Sequence, residues 1–551
     1  MKSLAKNTNA TRAHAQKSSV KLVRIVEDLD TRDHFLELRF RHLTGEVRHL
    51  KIPRSQGEKA IYDALLNAGA KLPLDISNAR NAISAAVRVE GVPIVAVTGR
   101  TGWHGDCFVL PDRTIGDHPN HLTYWDRSGA EPGEQRAGSI DGWKEGLRQA
   151  CANSSYLTFA IAVAFAGPLI RKLNRRDGFF FNLAGESSTG KTLASRAARS
   201  VIGRADNTGI HTPSVKDRGL EELASRYNDL AIFLDDLGRL KGSKPKIQET
   251  LRSFAYGLAG GSGKIRSRVV RAELPNVTWV IAGLTSWETL LSEIQRAEGE
   301  LVRLIDVPVP PRAEGGIFDL VSGGRRADDR KALAENVQKT VDAHYGRALP
   351  PYLKHLVDGK AALVDDANKR VDDFVKSATT DGNSLLARFA EKFGIVLAAA
   401  TLAVDADVAP WTEQQARAAI RRVYFDALTV LVTPEQAADD FLKRLARRAK
   451  NKTRFPRVEP KSRFPKNLRK QFLGIRRTLP KIGLVVAVPR VKLRKMAGSP
   501  ARRDAIVGEL AKRDLFVKDS SGKSTIQLQV KGLSKKRRRY LVIPVKRLPK
   551  K

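Results

Sequence analysis

The residues best suited to chemistry lie in one short segment with the spacing G-x-x-x-x-G-K-[ST], which is typical of a phosphate-binding loop. In such a loop backbone N–H groups wrap the phosphates, Lys191 reaches the β and γ oxygens, and Thr192 ligates magnesium. An apolar run at 179–184 precedes the segment and a helix-forming run at 193–199 follows it, which makes a chance glycine-rich turn the weaker interpretation. We therefore predict a site for ATP and Mg²⁺, formed by Gly185, Glu186, Ser187, Ser188, Thr189, Gly190, Lys191 and Thr192.

Two acids follow a second apolar run at residues 230–234, which reads as a buried parallel strand. Acids at the carboxyl end of such a strand would lie beside the loop at the mouth of an α/β sheet. We expect Asp235 to hold the magnesium and Asp236 to orient or deprotonate the attacking water. The alternative is a buried strand that ends in two helix-capping acids.

The charge of the chain indicates its partner. Lys and Arg number 97 against 59 Asp and Glu, so the net charge is +38 and the pI is near 10.3. Such an excess favours a polyanion, and nucleic acid is the first choice. A membrane is the rival, but the apolar run at 156–170 contains Gly167-Pro168 and is shorter than the roughly twenty residues of a span. We expect a core helix there.

The beginning of the chain is polar and basic, which argues against a leader, and Cys107 and Cys151 are the only cysteines. These features favour a reducing, cytoplasmic setting.

A basic segment lies between the acids and the next strand. Lys264, Arg266 and Arg268 recur with period two, so in a hairpin they would project from one face, close to Arg271. We predict that this row follows a DNA backbone. A solvated hairpin edge that blocks strand pairing is the alternative.

Further candidate residues follow along the chain. The run at 277–286 reads as a strand that ends in hydroxyls, of which Thr285 could sense the γ-phosphate. Arg303 is a cation among apolar residues, which favours an interface or a phosphate site. Trp287 suits the core better than a base stack.

A basic cluster either binds phosphate or forms a solvated strand edge: Lys535, Lys536, Arg537, Arg538 and Arg539. Four residues have loosely metal-like spacing but match no recognised zinc pattern: His104, Cys107, His118 and His121.

The fold class predicted from these runs is α/β with a parallel-sheet core and several domains. The predicted order is a disordered basic tail at 1–19, an α+β domain at 20–136, the nucleotide-binding core at 137–328, a helical region at 329–432, a basic linker at 433–466 and a winged-helix-like domain at 467–551.

The order of these motifs resembles an AAA+ ATPase with a hairpin before its sensor strand, as in the minichromosome-maintenance helicases. More closely, the sequence resembles domain-of-unknown-function family 927, which is similar to replication helicases of bacterial mobile elements and prophages. The resemblance covers roughly residues 20–426 and is carried by the segments 98–105, 108–112, 185–192, 263–266 and 303–306.

The resemblance implies a P-loop AAA+ core and a homohexameric ring with ATP between subunits. It also implies a bacterial protein that acts near the nucleoid. Lys191 and Thr192 would be the Walker A pair, Asp235 and Asp236 the Walker B acids, and Thr285 the sensor 1 residue. Arg303 would be the arginine finger that contacts the γ-phosphate bound by the neighbouring subunit, and Arg388 would be a possible sensor 2 residue. The family usually has glutamate where this chain has Asp236 and asparagine where it has Thr285, so hydrolysis could be slow.

Three functions compete at this point. A ring-shaped replicative DNA helicase would move one strand through the ring with the basic hairpin, while the winged helix holds duplex. An ATP-gated initiator or loader would bind ATP tightly and not unwind DNA. A non-enzymatic, chromatin-like binder would make no use of the intact phosphate loop.

Overall fold

The computed structural model describes residues 20–72, 83–84, 87, 91–126, 136–205, 223–224, 226–240, 243–261, 278–291, 298–321, 326–378, 384–460, 462–497, 500–519, 524–534 and 537–549. The chain divides into two compact units. One contains residues 1–100, 109–130 and 271–275, and the other contains 101–108, 131–270 and 276–551.

The first unit is built on a five-stranded mixed sheet in the order β3-β2-β1-β4-β8. Its elements are β1 (Val20–Asp28), β2 (His34–Arg41), β3 (Val47–Pro53), α1 (Glu58–Asn67), β4 (Ile94–Thr98) and β8 (Thr123–Tyr124). β1 is antiparallel to β2 and parallel to β4. Leu38 and Leu65 are fully buried between the sheet and α1. Three short strands lie along 102–115: β5 (Gly102–His104), β6 (Cys107–Leu110) and β7 (Arg113–Ile115).

The second unit contains a four-stranded sheet in the order β10-β11-β9-β12, in which every pair is parallel. The strands are β9 (Phe179–Ala184), β10 (Ala231–Leu234), β11 (Ala282–Trp287) and β12 (Leu304–Pro308). β9 and β10 are buried at every residue, as their largely apolar sequences predict. The predicted α/β class with a parallel sheet is confirmed.

Helices cover this sheet and continue beyond it. They are α2 (Ile140–Ala152), α3 (Ser155–Lys172), α4 (Lys191–Arg199), α5 (Lys244–Gly257), α6 (Glu298–Leu301), α7 (Arg326–Ala343), α8 (Leu349–Asp358), α9 (Lys360–Ala378), α10 (Ser384–Asp405) and α11 (Glu413–Leu431). α3 begins where Ser154 Oγ accepts a hydrogen bond from Leu157 N at 2.8 Å. Every residue from Ser155 to Ile170 is buried. The apolar run is thus a core helix, as predicted, and the described helices include none that is long and apolar enough to cross a membrane.

The carboxyl-terminal region has a four-stranded sheet in the order β13-β14-β16-β15, with antiparallel pairs. Its elements are α12 (Pro434–Ala449), β13 (Ile475–Leu479), β14 (Gly483–Pro489), α13 (Arg490–Ala497), α14 (Pro500–Lys512), β15 (Ile526–Leu528) and β16 (Arg538–Pro544).

The prediction of a linker at 433–466 was wrong over its first half. α12 carries a capping box at Thr433 and buries Phe441 and Leu445 in the same core as Ile506 of α14. Lys443 and Arg447 are exposed on this helix whereas its apolar residues are buried, so the average composition of the segment hid an amphipathic pattern.

Both cysteines are buried. Burial raises the pKa of the Cys151 thiol to about 12 and also raises the pKa of the Cys107 thiol. Cys107 Sγ donates a hydrogen bond to the His104 carbonyl oxygen at 3.1 Å.

Gly167 allows α3 to pack directly on the chain that enters β10. A Cβ atom at this position would overlap the carbonyl group of Leu230. We expect Gly167→Ala to lower the free energy of unfolding by about 1–3 kcal/mol, because backbone atoms cannot give way as a flexible side chain does.

The control is Gly508→Ala in α14, where a Cβ atom meets nothing within 4 Å. This change should raise stability by about 0.5–1 kcal/mol through helix propensity. The midpoints of urea unfolding would test the pair. Equal stability of Gly167→Ala and the wild type would show that α3 can shift away from the strand.

Candidate functional site

The loop at 185–190 connects the end of β9 to the start of α4. Gly190, the residue before α4, has φ of 94°, and no side chain caps the helix there. The segment after β12 supports the loop from behind, because Ile317 N donates to the Thr189 carbonyl oxygen at 2.9 Å. A Cβ atom on Gly190 would crowd the Ile317 side chain. The uncapped N–H groups of α4 therefore open toward the loop, as in an anion site.

Lys191 is held inside this loop. Its Nζ donates to the carbonyl oxygens of Gly185 and Glu186, at 2.7 Å each, and only 9% of the residue is exposed. Burial lowers the pKa of Lys191, while the nearby acids Glu288, Asp235 and Asp236 oppose that shift. The ammonium group thus lies where an anion bound in the loop would meet it.

A hydroxyl–carboxylate cluster lies beside the loop. Thr192 Oγ1 donates to both carboxylate oxygens of Asp235 at 3.3 Å. Ser286 Oγ donates to Asp235 Oδ1 at 2.6 Å and accepts a hydrogen bond from Asp236 N at 3.0 Å. Asp235 and Ser286 follow the paired residues Leu234 and Thr285, so the parallel register brings them together. Ser286 is the contact that the sequence prediction missed.

Thr285, the hydroxyl predicted to sense phosphate, lies elsewhere. It is fully buried, and its Oγ1 donates to Asn182 Oδ1 at 3.2 Å. Asn182 Nδ2 in turn donates to Asp306 Oδ1 at 2.8 Å. Because adjacent strand residues point to opposite faces, Thr285 belongs to this buried polar row and Ser286 to the acid cluster.

Asp236 has a left-handed backbone, with φ of 58°, and its Oδ1 accepts a hydrogen bond from Gly238 N at 3.1 Å. Trp287 is partly buried at the end of β11, where its carbonyl oxygen accepts from Gly185 N at 3.1 Å.

Arg303 lies at the amino edge of the parallel sheet, directly before β12. Its Nη2 donates to Asp177 Oδ2 at 2.9 Å, and its guanidinium lies 5.3 Å from the centre of the Tyr256 ring. The loop at 185–190 lies at the opposite, carboxyl edge. The intervening strand β9 spans roughly 20 Å at about 3.3 Å per residue. Arg303 therefore does not meet the loop of the same chain.

Arg388 is exposed on α10 and is also remote from the loop. It precedes by one turn Lys392, whose Nζ lies 5.8 Å from the centre of the Phe179 ring at the amino end of β9. The structure therefore brings Arg388 to the edge that carries Arg303, away from Lys191.

The predicted DNA-binding residues are only partly described. Lys264, Arg266, Arg268, Arg271, Lys535 and Lys536 lie outside the described residues. Arg537 and Arg538 are exposed at the start of β16. Arg539 is half-buried, with its Nη1 3.6 Å from Asp519 Oδ2. Among the residues that the structure describes, no group of three or more His, Cys, Asp or Glu side chains could hold a metal ion, so the loose zinc-like spacing gains no support.

The segment at 101–108, which contains Trp103, is hydrogen-bonded to the chain that leads into β10. Thr101 Oγ1 donates to the carbonyl oxygens of Arg226 and Asn228 at 2.7 and 2.9 Å. Trp103 N donates to Asp229 Oδ2 at 3.0 Å. Asp229 is fully buried and also accepts from Arg171 Nε at 2.7 Å. This segment fastens α3 to the entry of β10, so its role is positioning.

One solved structure shares this fold. A structure described as "SCCmec type IV Cch - active helicase" matches with a TM-score of 0.57 at 14% identity, covering 96% of this chain and 93% of that chain. A structure of the NrS-1 C-terminal region matches over 94% of this chain and 96% of that chain at 10% identity, but with a TM-score of only 0.24. At these identities the first similarity concerns the fold. No curated protein matches the sequence.

The family comparison covers the amino-terminal part of the chain. The match ends at residue 272, whereas the resemblance suggested by the sequence motifs extended to about residue 426. Arg303 and Arg388 lie beyond it. Residues 2–272 match the family described as "Domain of unknown function (DUF927)", which the loop at 185–192 and the Trp103 segment had indicated.

Proposed function

We propose that this protein binds and hydrolyses ATP and couples hydrolysis to movement on DNA. The observation that carries the proposal is the meeting of Lys191, Thr192, Asp235 and Ser286 at the carboxyl ends of parallel strands. A cation, two hydroxyls and an acid next to an uncapped helix start are the groups that recur in P-loop nucleotide sites of the AAA+ kind.

The donors at this site fit magnesium. Mg²⁺ prefers oxygen ligands and takes one or two from the protein, with the rest from phosphates and water. Thr192 and Asp235 offer a hydroxyl and a carboxylate 3.3 Å apart, and these two residues would hold the ion. When bound, Mg²⁺ would neutralise charge on the phosphate oxygens.

The remaining groups have separate roles. Lys191 would exchange its two loop carbonyl partners for phosphate oxygens of ATP. Asp236 would orient the attacking water and accept its proton, with one oxygen engaged by Gly238 N. Ser286 would keep both acids in register by contacting the side chain of one and the backbone of the other. We therefore assign the sensor position to Ser286 in preference to Thr285.

Arg303 would complete the site of a neighbouring copy. Its distance from Lys191 within one subunit leaves contact in trans as the way for it to reach a γ-phosphate, which supports a ring, as in homohexameric AAA+ proteins. The pairs with Asp177 and Tyr256 would hold the guanidinium ready at the sheet edge. Arg388 lies at the same edge and would also contact the nucleotide bound by the neighbouring copy.

DNA is the proposed track. The net charge of +38 supports a polyanionic partner, and the similar fold described as an active helicase agrees with strand separation for a mobile element. The basic residues 264–271 would contact one strand inside the ring. Arg537, Arg538 and Arg539, together with Lys535 and Lys536, would contact duplex from a winged-helix-like domain.

An ATP-gated initiator or loader is the second candidate, and Asp236 favours it. Aspartate is one methylene shorter than the glutamate usual at this position, so the water could lie beyond its best reach. Such a protein would bind ATP tightly, hydrolyse it slowly and separate no strands.

The first prediction concerns ATP turnover with and without forked DNA. DNA should stimulate the wild type, whereas Lys191→Ala should lose at least 100-fold in rate because the phosphates lose their cation. A control, Lys354→Ala on the exposed face of α8, should behave as the wild type. ATP binding without DNA-stimulated turnover would refute the helicase and favour the switch.

The second prediction concerns Arg303. Arg303→Ala alone should lose turnover by a factor of at least 10³, in the range of arginine fingers of other nucleotide hydrolases at about 10³–10⁵. Mixing it with Lys191→Ala should restore part of the rate, because a mixed assembly contains sites with both residues intact. Mixtures no more active than the separate variants would contradict shared sites.

The third prediction separates Ser286 from Thr285. Ser286→Ala should lower ATP turnover about 10–100-fold and raise the Mg²⁺ concentration needed for half-maximal rate, since Asp235 loses a partner. Thr285→Val should cost stability, about 1 kcal/mol, and leave the Mg²⁺ dependence unchanged. The reverse pattern in a Mg²⁺ titration would return the sensor role to Thr285.

The fourth prediction concerns the basic segment. Lys264→Ala and Arg268→Ala should weaken binding to single-stranded DNA while ATP affinity stays constant. Each lost phosphate contact should reduce the slope of log K against log salt by about 0.7. Unchanged DNA affinity in a salt titration would remove this segment from the mechanism.

A further inference from the structure

A cavity of about 380 Å³ lies at the junction of α11, α12 and the carboxyl-terminal region. Cations dominate its wall, which consists of Ala418, Arg421, Arg422, Arg448, Arg454, Leu473 and Met496. Arg454 is exposed and Arg448 is half-buried. A cavity of this size accepts a single phosphate-bearing group and is too small for a duplex.

The charge in the wall is poorly balanced. Arg422 pairs with Asp426 at 2.6 Å. Among the described residues, no carboxylate lies within ion-pair distance of Arg421, Arg448 or Arg454. The wall therefore presents three cations to one small space without acidic partners.

Two more arginines lie behind the wall and add to the positive field. Arg444 and Arg502 are buried, and both contact the same acid, Asp440, at 2.6 and 3.3 Å. Burial and the repulsion from neighbouring arginines, above all Arg444, lower the pKa of Arg448, and burial together with Arg444 lowers the pKa of Arg421. Both groups stay charged at neutral pH because the guanidinium pKa is so high. Bringing the positive charges of these arginines together costs free energy, and an anion bound in the cavity would offset that cost.

We propose that this cavity binds the phosphate groups of a single nucleic-acid strand. Guanidinium forks match two phosphate oxygens at once, which is why arginine predominates at phosphate sites. Leu473 and Met496 give the wall an apolar side that a sugar or base can contact and a free polyphosphate cannot use. This inference rests on the proposed function only for the identity of the polyanion.

The site also has a physical connection to the nucleotide loop. Arg422 lies 3.9 Å from Asp319, which accepts a hydrogen bond from Ser155 N at 2.8 Å. Two residues earlier, Ile317 N holds the Thr189 carbonyl oxygen. A phosphate that draws Arg422 toward the cavity would therefore act on the segment that supports the loop.

The test compares Arg448→Gln/Arg454→Gln with Lys443→Gln/Arg447→Gln, a matched loss of two charges on the exposed face of the same region. The probe is a fluorescein-labelled dT20 strand, followed by anisotropy without ATP. We expect the cavity variant to bind at least tenfold more weakly, with the salt slope reduced by about 1.4 for two phosphate contacts. The control should bind within twofold of the wild type. Equal affinity and slope in the cavity variant and the control would overturn the proposal.

Two further arms complete the test. Titration calorimetry with sodium tripolyphosphate separates the two sources of phosphate. If the cavity variant loses tripolyphosphate binding but keeps its dT20 binding, the assignment to nucleic acid is overturned. If the glutamine variant melts below the wild type, Arg448→Lys/Arg454→Lys replaces it as the cavity variant. This variant retains the charge but loses the two-pronged guanidinium contacts, so it should show about half of the loss of dT20 affinity expected of the glutamine variant. The ATP turnover of Lys191→Ala is measured separately, so failure of this site and failure of the proposed function give different results.

Discussion

The buried helix α3 is the constraint on which the rest of the second unit depends. It packs against α4, α10, α11 and β11, so the sheet, the loop helix and the helical region all have one common neighbour. Phe159 of α3 meets the Phe181 ring of β9 edge-on at 4.9 Å and stacks on Phe393 of α10 at 5.7 Å. Each such side chain contributes about 1.5–3 kcal/mol when fully buried. The position of Lys191 is therefore determined by packing well away from the loop itself.

A parallel sheet also gives the site its direction. The carboxyl ends of β9, β10 and β11 collect Lys191, Asp235 and Ser286, while the amino ends collect Arg303 and Lys392. Polar groups at the two edges cannot meet because fully buried apolar strands separate them. At the edge opposite the loop, Arg303 is held by Asp177.

Local patterns in the sequence predicted the phosphate-loop segment, the acid pair and the core helix, because each is defined by neighbours along the chain. They did not distinguish Ser286 from Thr285, since the choice depends on which face of β11 meets Asp235 and therefore on the register between strands. Arg388 was assigned by resemblance, but the path of α10 carries it to the other edge of the sheet. α12 was taken for a linker because its arginines outweighed Phe441 and Leu445 in the composition. These placements all depend on contacts between elements that lie far apart in sequence.

The burial of the two thiols has a practical consequence. A thiolate is the reactive form of cysteine, and Cys151, with a pKa of about 12, has almost none at neutral pH, while Cys107 is enclosed and bonded to the His104 carbonyl. The native protein should thus not react with maleimide dyes. A single cysteine introduced at an exposed position outside the phosphate-binding loop, such as Lys354 on α8, could be labelled without first removing the natural pair.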